Sequence, residues 1–333
     1  MPPHRHSLIV RLRNWVGDVT LSVPALQRLS DAGYGLQLVG KGWAKNLLAG
    51  HGWPVHTLPA KFTDRVLLLR ELRAASSVQT RGPGDLNALC LPDSFSSALE
   101  FRAAGLRALG HAHEGRSLLL ARSLPLPRGL HALQVYWQMA DALLGASAPL
   151  PDTVGLRIND AQRAAAQALR KAHGIESDCI VICPFAGGTW AQQDKTWPAF
   201  ASYAAQALPR HGRSIVVCPG PGEEASAHEH FGQAKLLPNV PLGTYAALLQ
   251  DAALMISNDT GPGHIAAAVG TPLVSVLGPS DPALWRAWGP HVHLVQGLAS
   301  VAATATASAS WPDARDVDRA VAEALAKTPA HQR

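Results

Sequence analysis

Residues 254–277 read LMISNDTGPGHIAAAVGTPLVSVL. The segment opens with an apolar run at 254–257 and closes with another at 273–277, and the length of each predicts a buried β-strand. Between them, a turn rich in glycine and polar residues precedes residues 264–269, whose composition predicts a helix. A strand, a loop, a helix and a second strand in this order are typical of a parallel sheet covered by helices.

The same alternation recurs in both halves of the chain. Apolar runs that predict strands lie at residues 7–10, 36–39, 88–91, 179–183 and 214–218. Helical patterns lie at residues 130–144, 161–172, 200–208 and 313–327. The stretch SAPLP at 147–151 is a composition break between the halves. We therefore predict an α/β protein with two domains, 1–150 and 151–298, followed by an Ala/Ser-rich loop and a terminal helix within 299–333.

Composition narrows the class of protein. The chain has 333 residues, of which 47% are hydrophobic and 16% are charged, enough for two domains with separate cores. The longest apolar run, 266–277, is shorter than the roughly 20 residues that a membrane helix needs, and Pro272 interrupts it. The 4 cysteines contain no C-x-x-C pair and form no disulfide framework. These features predict a soluble, reduced, cytoplasmic protein.

Charge is distributed unevenly between the halves. Residues 1–150 contain 16 Lys/Arg and 9 Asp/Glu, a net charge of +7, whereas residues 151–333 contain 13 and 15, a net charge of −2. A basic first half indicates an anionic partner. The sequence has no Lys/Arg run and no interleaved aromatic motif of the kind that binds nucleic acid. An acidic lipid headgroup or a phosphorylated glycan is therefore favoured over nucleic acid.

One glycine motif has the form of a dinucleotide site. Residues 220–225, GPGEEA, follow a predicted strand and fit G-x-G-x-x-A. Such a site needs an acidic residue about 20 positions later for the ribose, and residues 233–250 contain none. Two adjacent carboxylates also oppose a pyrophosphate at this turn. NAD binding is not predicted, and the 15 histidines show no metal-ligand spacing, so neither a cofactor nor a metal is expected.

The candidate ligand site lies in the turn 257–264. It follows the carboxyl end of a predicted strand, where ligands bind in open α/β sheets. Thr260 and Gly261 would present backbone N–H groups at the start of a helix, which favours an anion. Asp259 could accept hydrogen bonds from sugar hydroxyls, or it could simply cap the helix.

A second glycine-bearing loop strengthens this interpretation. Residues 184–189, PFAGGT, also follow a predicted strand, and Lys195 lies shortly after them. The Thr189 hydroxyl can bind a phosphate and the Lys195 ammonium can neutralise it. Two such loops in one domain predict a diphosphate site.

In the first half, the loop 14–18, NWVGD, places Asp18 after the opening strand. The position suits the N-cap of the following helix. It equally suits a general base near a ligand, because the carboxylate lies at the carboxyl end of a strand.

Together these segments resemble glycosyltransferase family nine, the ADP-heptose:lipopolysaccharide heptosyltransferases, and most closely the heptosyltransferase II type. The segments that carry the resemblance are 15–18 (WVGD), 91–99 (LPDSFSSAL), 195–198 (KTWP), 258–261 (NDTG) with His264, and 278–282 (GPSDP). Family members often have Lys where this chain has Ser96 and Arg where it has Leu109. Both differences lie on the acceptor side.

The resemblance implies a GT-B fold, in which two Rossmann-like domains with parallel sheets face each other across a cleft. Residues 1–150 would bind the acceptor, residues 151–298 would bind the nucleotide sugar, and the terminal helix would pack back onto the first domain. It also implies inverting, metal-independent transfer of heptose from ADP-L-glycero-β-D-manno-heptose to the inner core of lipopolysaccharide. The expected partners are an ADP-sugar and an acidic lipid-linked core oligosaccharide, with peripheral contact at the cytoplasmic face of the inner membrane.

Site roles follow from the resemblance by position. Asp18 would be the catalytic base and Asp259 would meet the donor sugar. The residues implied in the rest of the donor site are Thr189, Lys195, Thr260 and Gly261 for the diphosphate, Glu223, Glu224, Val240 and Leu242 for the ribose and adenine, and His264 as support. Three alternatives stay open: a same-fold transferase with another nucleotide sugar or acceptor, as in O-antigen or capsule assembly, a sugar-nucleotide epimerase, and a non-catalytic binding module.

Overall fold

The computed structural model describes residues 6–75, 85–187, 189–190, 193–278, 280–297 and 311–327. The chain divides into two compact units, Met1–Pro151 and Asp152–Arg333. The division falls in the SAPLP stretch, one residue after the predicted boundary. Residues 299–310, the Ala/Ser-rich stretch, lie outside the described residues. No helix among the described ranges is long and apolar enough to cross a membrane.

The first unit is built on a six-stranded parallel sheet. Its strands are β1 (His6–Arg11), β2 (Tyr34–Gly40), β3 (Val55–Thr57), β4 (Ala88–Cys90), β5 (Ala108–Ala112) and β6 (Arg122–Pro125). Its helices are α1 (Val16–Asp31), α2 (Trp43–Leu47), α3 (Phe62–Ala75), α4 (Phe95–Ala103) and α5 (Ala132–Leu144). The strand order is β3-β2-β1-β4-β5-β6. The order therefore reverses between β1 and β4, whose carboxyl ends are neighbours.

The second unit repeats this topology. Its main strands are β7 (Ile180–Cys183), β10 (Ile215–Val217), β11 (Lys235–Leu236), β12 (Leu254–Asn258), β13 (Leu273–Leu277) and β14 (Val292–Gln296), and a hairpin adds β8 (Thr189–Trp190) and β9 (Gln193–Asp194). Its helices are α6 (Asp160–His173), α7 (Phe200–Gln206), α8 (Glu224–Phe231), α9 (Leu242–Gln250), α10 (Gly261–Val269), α11 (Pro282–Trp285) and α12 (Ala314–Lys327). The order β11-β10-β7-β12-β13-β14 reverses between β7 and β12.

These two parallel sheets confirm the predicted α/β class. The apolar runs at 254–257 and 273–277 form β12 and β13, whose residues are all buried, as expected for strands covered on both faces. Gly263 allows α10 to begin close to β12, because a Cβ at this position would lie 3.0 Å from Ser257 Oγ. The short loop 259–260 is therefore held against the end of the sheet.

Helix α1 begins earlier than the sequence predicted. Trp15 is its N-cap residue, with an extended backbone, and Val19 N donates to Trp15 O (3.1 Å). Asp18 is therefore the third residue of the helix, and the N-cap interpretation of Asp18 is wrong. Its carboxylate still lies in the first turn, where the helix dipole favours a negative charge.

Helix α12 covers the second sheet. Its apolar stripe, Val317, Val321 and Ala324, is buried in the core formed by residues of β7, β12 and β13. Just before the helix, Trp197 Nε1 donates to Pro312 O (3.2 Å). The apolar stripe of the terminal helix is therefore covered within the second unit. Packing of this helix back onto the first domain stays a prediction.

Candidate functional site

The second unit places a lysine and an aspartate side by side at its strand reversal. Lys195 Nζ lies 3.5 Å from Asp259 Oδ2, and both side chains are mostly buried. His264 Nε2 lies 4.0 Å from Asp259 Oδ1. Asp259 follows β12 and Lys195 follows the hairpin after β7, so these are the two strands at which the order reverses. The structure thus brings together three residues that the sequence assigned to the donor site.

Asn258 holds the loops of this site together. The fully buried side chain accepts a hydrogen bond from Trp197 N (3.0 Å) at Oδ1 and donates from Nδ2 to Pro184 O (2.7 Å). One amide thereby joins the loop after β7, the segment that carries Lys195, and the end of β12. The sequence motif NDTG contained this residue, but nothing in it assigned the role.

The amino terminus of α10 presents backbone amides without a side-chain cap. Thr260 is the N-cap residue, yet its hydroxyl forms no cap hydrogen bond and instead lies 3.1 Å from Ser257 Oγ. It also lies 3.7 Å from Cys183 Sγ. Burial raises the pKa of Cys183 to about 12, so the thiol stays protonated. Because no side chain caps this end of the helix, the first-turn amide of Gly261 is available to an anion.

The two glutamates of the GPGEEA segment fold back onto its glycine turn. Glu223 Oε2 accepts from Gly220 N (2.8 Å), and Glu224 Oε2 accepts from Gly222 N (2.8 Å). These are the amides that a dinucleotide pyrophosphate would use, so the local geometry agrees with the exclusion of NAD. Within the described residues neither Oε1 atom receives a hydrogen bond, which leaves one oxygen of each carboxylate for a hydroxyl.

The remaining donor residues lie at the same edge of the second sheet. Val240 and Leu242 flank the start of α9, which follows β11, and both are partly buried. Thr189 lies in β8, paired with Asp194 of β9. The carboxyl ends of β11, β10, β7 and β12 are consecutive along this edge.

In the first unit, Asp18 accepts a hydrogen bond from a tyrosine and lies beside an arginine. Tyr136 of α5 donates its hydroxyl to Asp18 Oδ1 (2.6 Å). Arg13 Nε lies 3.7 Å from the same oxygen, and the Arg13 guanidinium lies 5.9 Å from the centroid of the Tyr136 ring. Among the described residues no hydrogen bond reaches Asp18 Oδ2. That oxygen is the one left for a ligand.

Asp93 extends this cluster from the loop after β4. It pairs with Arg13 through Oδ2, and its Oδ1 lies 3.7 Å from Nδ1 of the buried His111. Burial alone would raise the pKa of Asp93, but His111 and the charge of Arg13 outweigh it and lower the pKa. The segment LPDSFSSAL was part of the resemblance, yet Asp93 was not assigned a role. A carboxylate directly after a strand at the reversal point was the available signal.

The two clusters are suited to different chemistry. A lysine and uncapped helix amides stabilise negative charge, as on a departing phosphate. A carboxylate with one free oxygen can take a proton from a hydroxyl within hydrogen-bond reach. Among the described residues no group of three or more His, Cys, Asp or Glu side chains could hold a metal ion.

Comparisons with known proteins identify the family of this chain. The profile of glycosyltransferase family 9 (heptosyltransferase) matches residues 87–308. Lipopolysaccharide heptosyltransferase 3 of Escherichia coli is 34% identical over 124 residues, which cover 34% of this chain and 35% of that protein. Lipopolysaccharide heptosyltransferase 1 of Pseudomonas aeruginosa is 30% identical over 183 residues, which cover 52% of this chain and 47% of that protein. The chain therefore aligns with less than half the length of these curated relatives.

Solved structures share the fold over nearly the whole chain. The structure of E. coli ADP-heptose lipopolysaccharide heptosyltransferase II has a TM-score of 0.76 at 21% identity, covering 96% of this chain and 99% of that one. The E. coli heptosyltransferase WaaC with ADP has a TM-score of 0.72 at 21% identity, with coverage of 96% and 99%. At this identity the likeness concerns the fold alone, which is the expected GT-B class. The profile match spans well over half of the sequence, and this chain therefore belongs to glycosyltransferase family 9, the heptosyltransferases.

Proposed function

We propose that this protein transfers heptose from ADP-L-glycero-β-D-manno-heptose to the acidic, lipid-linked inner core of lipopolysaccharide, with inversion and without a metal. The observation that carries the proposal is the Lys195–Asp259 pair beside the uncapped amino terminus of α10, at the strand reversal of the second sheet. A cation and free amides at such a position favour a diphosphate. The family membership and the ADP bound by WaaC support an ADP-sugar as the donor.

In this proposal each donor residue has a defined task. Lys195 and the amide of Gly261 bind the diphosphate, together with Thr189 and Thr260, and Asp259 accepts hydrogen bonds from the heptose while His264 supports it. The free Oε1 oxygens of Glu223 and Glu224 take the ribose hydroxyls. The half-buried apolar side chains Val240 and Leu242 contact the adenine.

Asp18 is the proposed general base. Its Oδ2 removes the proton from an acceptor hydroxyl while that oxygen attacks the anomeric carbon. The bond from this carbon to the ADP oxygen breaks, and ADP departs with the electron pair. Attack opposite the leaving group converts the β-linked donor into an α-linked product. A positioned base contributes roughly 10²- to 10⁴-fold, and the positive charge near the phosphates stabilises the departing ADP.

The proposed acceptor is based on the net charge of the first half of the chain. Residues 1–150 carry a net charge of +7, which is complementary to an acidic core oligosaccharide. We place the enzyme in the cytoplasm, with peripheral contact at the inner membrane, where a lipid-linked acceptor would be presented.

Thermal stabilisation by nucleotides tests the donor. ADP, UDP, GDP, CDP and NAD are compared with and without magnesium, each at about 100 times its dissociation constant, where one bound ligand adds about 2.7 kcal/mol of stability. We expect a shift with ADP that magnesium does not change. A shift with UDP or GDP instead would keep the transferase class and refute the ADP donor.

Turnover of the Asp18→Asn variant tests the chemistry. We expect at least a hundredfold loss of heptose transfer to a core acceptor with ADP affinity unchanged, because Asn cannot take the proton and every proposed diphosphate ligand belongs to the second unit. Near-normal turnover would exclude Asp18 as the base. Release of an epimerised nucleotide sugar without acceptor would indicate an epimerase, and nucleotide binding without any turnover would indicate a binding module.

A further inference from the structure

We propose that Tyr136 and Arg13 are positioning residues that occupy one oxygen of Asp18, so that only Oδ2 can accept the acceptor's proton. The inference rests on the proposed role of Asp18 as the base. It goes beyond that role because it assigns the choice of oxygen to two residues outside helix α1.

Tyr136 is a fixed donor to Asp18. The side chain is fully buried in α5, which packs along α1, so its hydroxyl cannot turn towards water. The hydroxyl lies 2.6 Å from Asp18 Oδ1. Burial and the neighbouring Asp18 charge raise the pKa of Tyr136 well above its usual range, so the O–H proton is always present. A short hydrogen bond from a buried donor to a carboxylate stabilises the ionised form.

Arg13 adds a permanent positive charge to the same oxygen. Its Nε lies 3.7 Å from Asp18 Oδ1, and its Nη2 is held by Asp93 Oδ2. Burial alone would lower the pKa of Arg13, but the carboxylates of Asp93 and Asp18 outweigh it and raise the pKa. The guanidinium is therefore charged, and Asp93 holds its Nη2 end while Nε faces Asp18 Oδ1.

Each element packed against Asp18 contributes to this environment. The loop after β1 supplies Arg13, α5 supplies Tyr136, and the loop after β4 supplies Asp93, behind which stands His111 of β5. Tyr136 donates a hydrogen bond to Oδ1, and the positive charge of Arg13 lies nearest the same oxygen. The second carboxylate, Asp93, is paired with Arg13.

Steady-state kinetics of the Tyr136→Phe variant test the inference. Without this hydroxyl, Oδ1 competes with Oδ2 for the acceptor's proton, and the carboxylate is no longer held in one orientation. We therefore expect kcat for heptose transfer to fall about 10- to 100-fold, the loss of a hydrogen bond to a charged group, while the KM values and ADP affinity stay unchanged. A purely structural role of Tyr136 would instead lower Tm and raise KM together with the loss of kcat.

Tyr203→Phe is the matched control. Tyr203 is a buried tyrosine in the second unit whose hydroxyl donates to Asp318 Oδ1 (3.1 Å), so the same atom and the same kind of bond are removed elsewhere. We expect its kcat and KM to equal those of the unmodified protein. Arg13→Gln is the second test variant and should lower kcat without changing KM, as Tyr136→Phe does, which keeps the inference testable if one variant folds poorly.

The outcomes separate the two proposals. An unchanged kcat in both Tyr136→Phe and Arg13→Gln, with Asp18→Asn inactive, overturns the positioning role and leaves the proposed function intact. An active Asp18→Asn variant overturns both. A lower kcat with unchanged KM in the two variants and not in Tyr203→Phe supports the assignment.

Discussion

Replacing Asn258 with alanine should weaken both the second unit and its ligand site. The substitution removes two buried hydrogen bonds and leaves Trp197 N–H and Pro184 C=O without their partner. A buried group left unsatisfied costs about 1–3 kcal/mol, so the two together should cost about 2–6 kcal/mol. For a unit of this size, each kcal/mol lowers Tm by roughly 2–4 °C. We expect Tm to fall by on the order of 10 °C.

The same change should lower nucleotide affinity, because Asn258 joins the loop that carries Lys195 to the strand end that carries Asp259. Calorimetric unfolding measures the first effect. ADP titration, carried out well below the lowered Tm, measures the second. Hydrogen exchange at the Trp197 amide reports the broken bond directly, since this N–H should lose its protection.

Asn159→Ala is the control for Asn258→Ala. Asn159 caps α6 in the same unit and accepts from Gln162 N (2.9 Å), so its loss removes a cap worth about 1 kcal/mol. This variant should lower Tm slightly and leave ADP affinity unchanged. If Asn258→Ala instead retains the Tm and ADP affinity of the unmodified protein, the argument that this amide organises the site is refuted.

Three further predictions follow from single contacts. Lys195→Ala should weaken ADP binding about 10- to 100-fold through the loss of a charge-assisted interaction, while adenosine binding stays unchanged. Titration of both ligands checks this, and replacement of the exposed Lys171 by alanine is the control. Asp93 has a lowered pKa in the folded protein, so its stabilising contribution is present above its ordinary pKa and is lost as the pH falls below about 4. Urea midpoints at pH 7, 5 and 3 should therefore fall less steeply in Asp93→Asn, and parallel curves would contradict this. Trp15 is 67% exposed and forms no cap hydrogen bond at the start of α1. Trp15→Ser should therefore raise Tm by a few degrees, because a serine N-cap adds about 1 kcal/mol of stability. A lower Tm would mean that the indole packs better than its exposure indicates.

The sequence was sufficient to predict the fold class, because the relevant signals are local. A strand buried on both faces must be apolar at successive positions, and residues 254–257 and 273–277 show this without reference to the rest of the chain. Prolines and glycines end these runs. The alternation of such strands with helices leaves a parallel sheet as the main solution.

Part of the site was also predictable. Asp259, Lys195 and Asp18 each follow a predicted strand, and parallel strands bring their carboxyl ends to one edge. The structure places Lys195 Nζ 3.5 Å from Asp259 Oδ2, so the two loops of the predicted diphosphate site lie side by side. In the structure the N-cap of α1 is Trp15, three residues before the predicted N-cap, so Asp18 lies in the first turn of the helix. This position decides which neighbours its carboxylate contacts.

Only the tertiary structure decided the partners. Tyr136 is 118 positions from Asp18, and Asn258 is 61 positions from Trp197 and 74 from Pro184. No periodicity in the sequence links such positions, because they meet only when helices and loops close over the sheet. For the same reason the apolar stripe of α12 could be seen in the sequence while the sheet that it covers could not. A stripe specifies that a helix is buried, and the packing of the whole chain selects the surface that buries it.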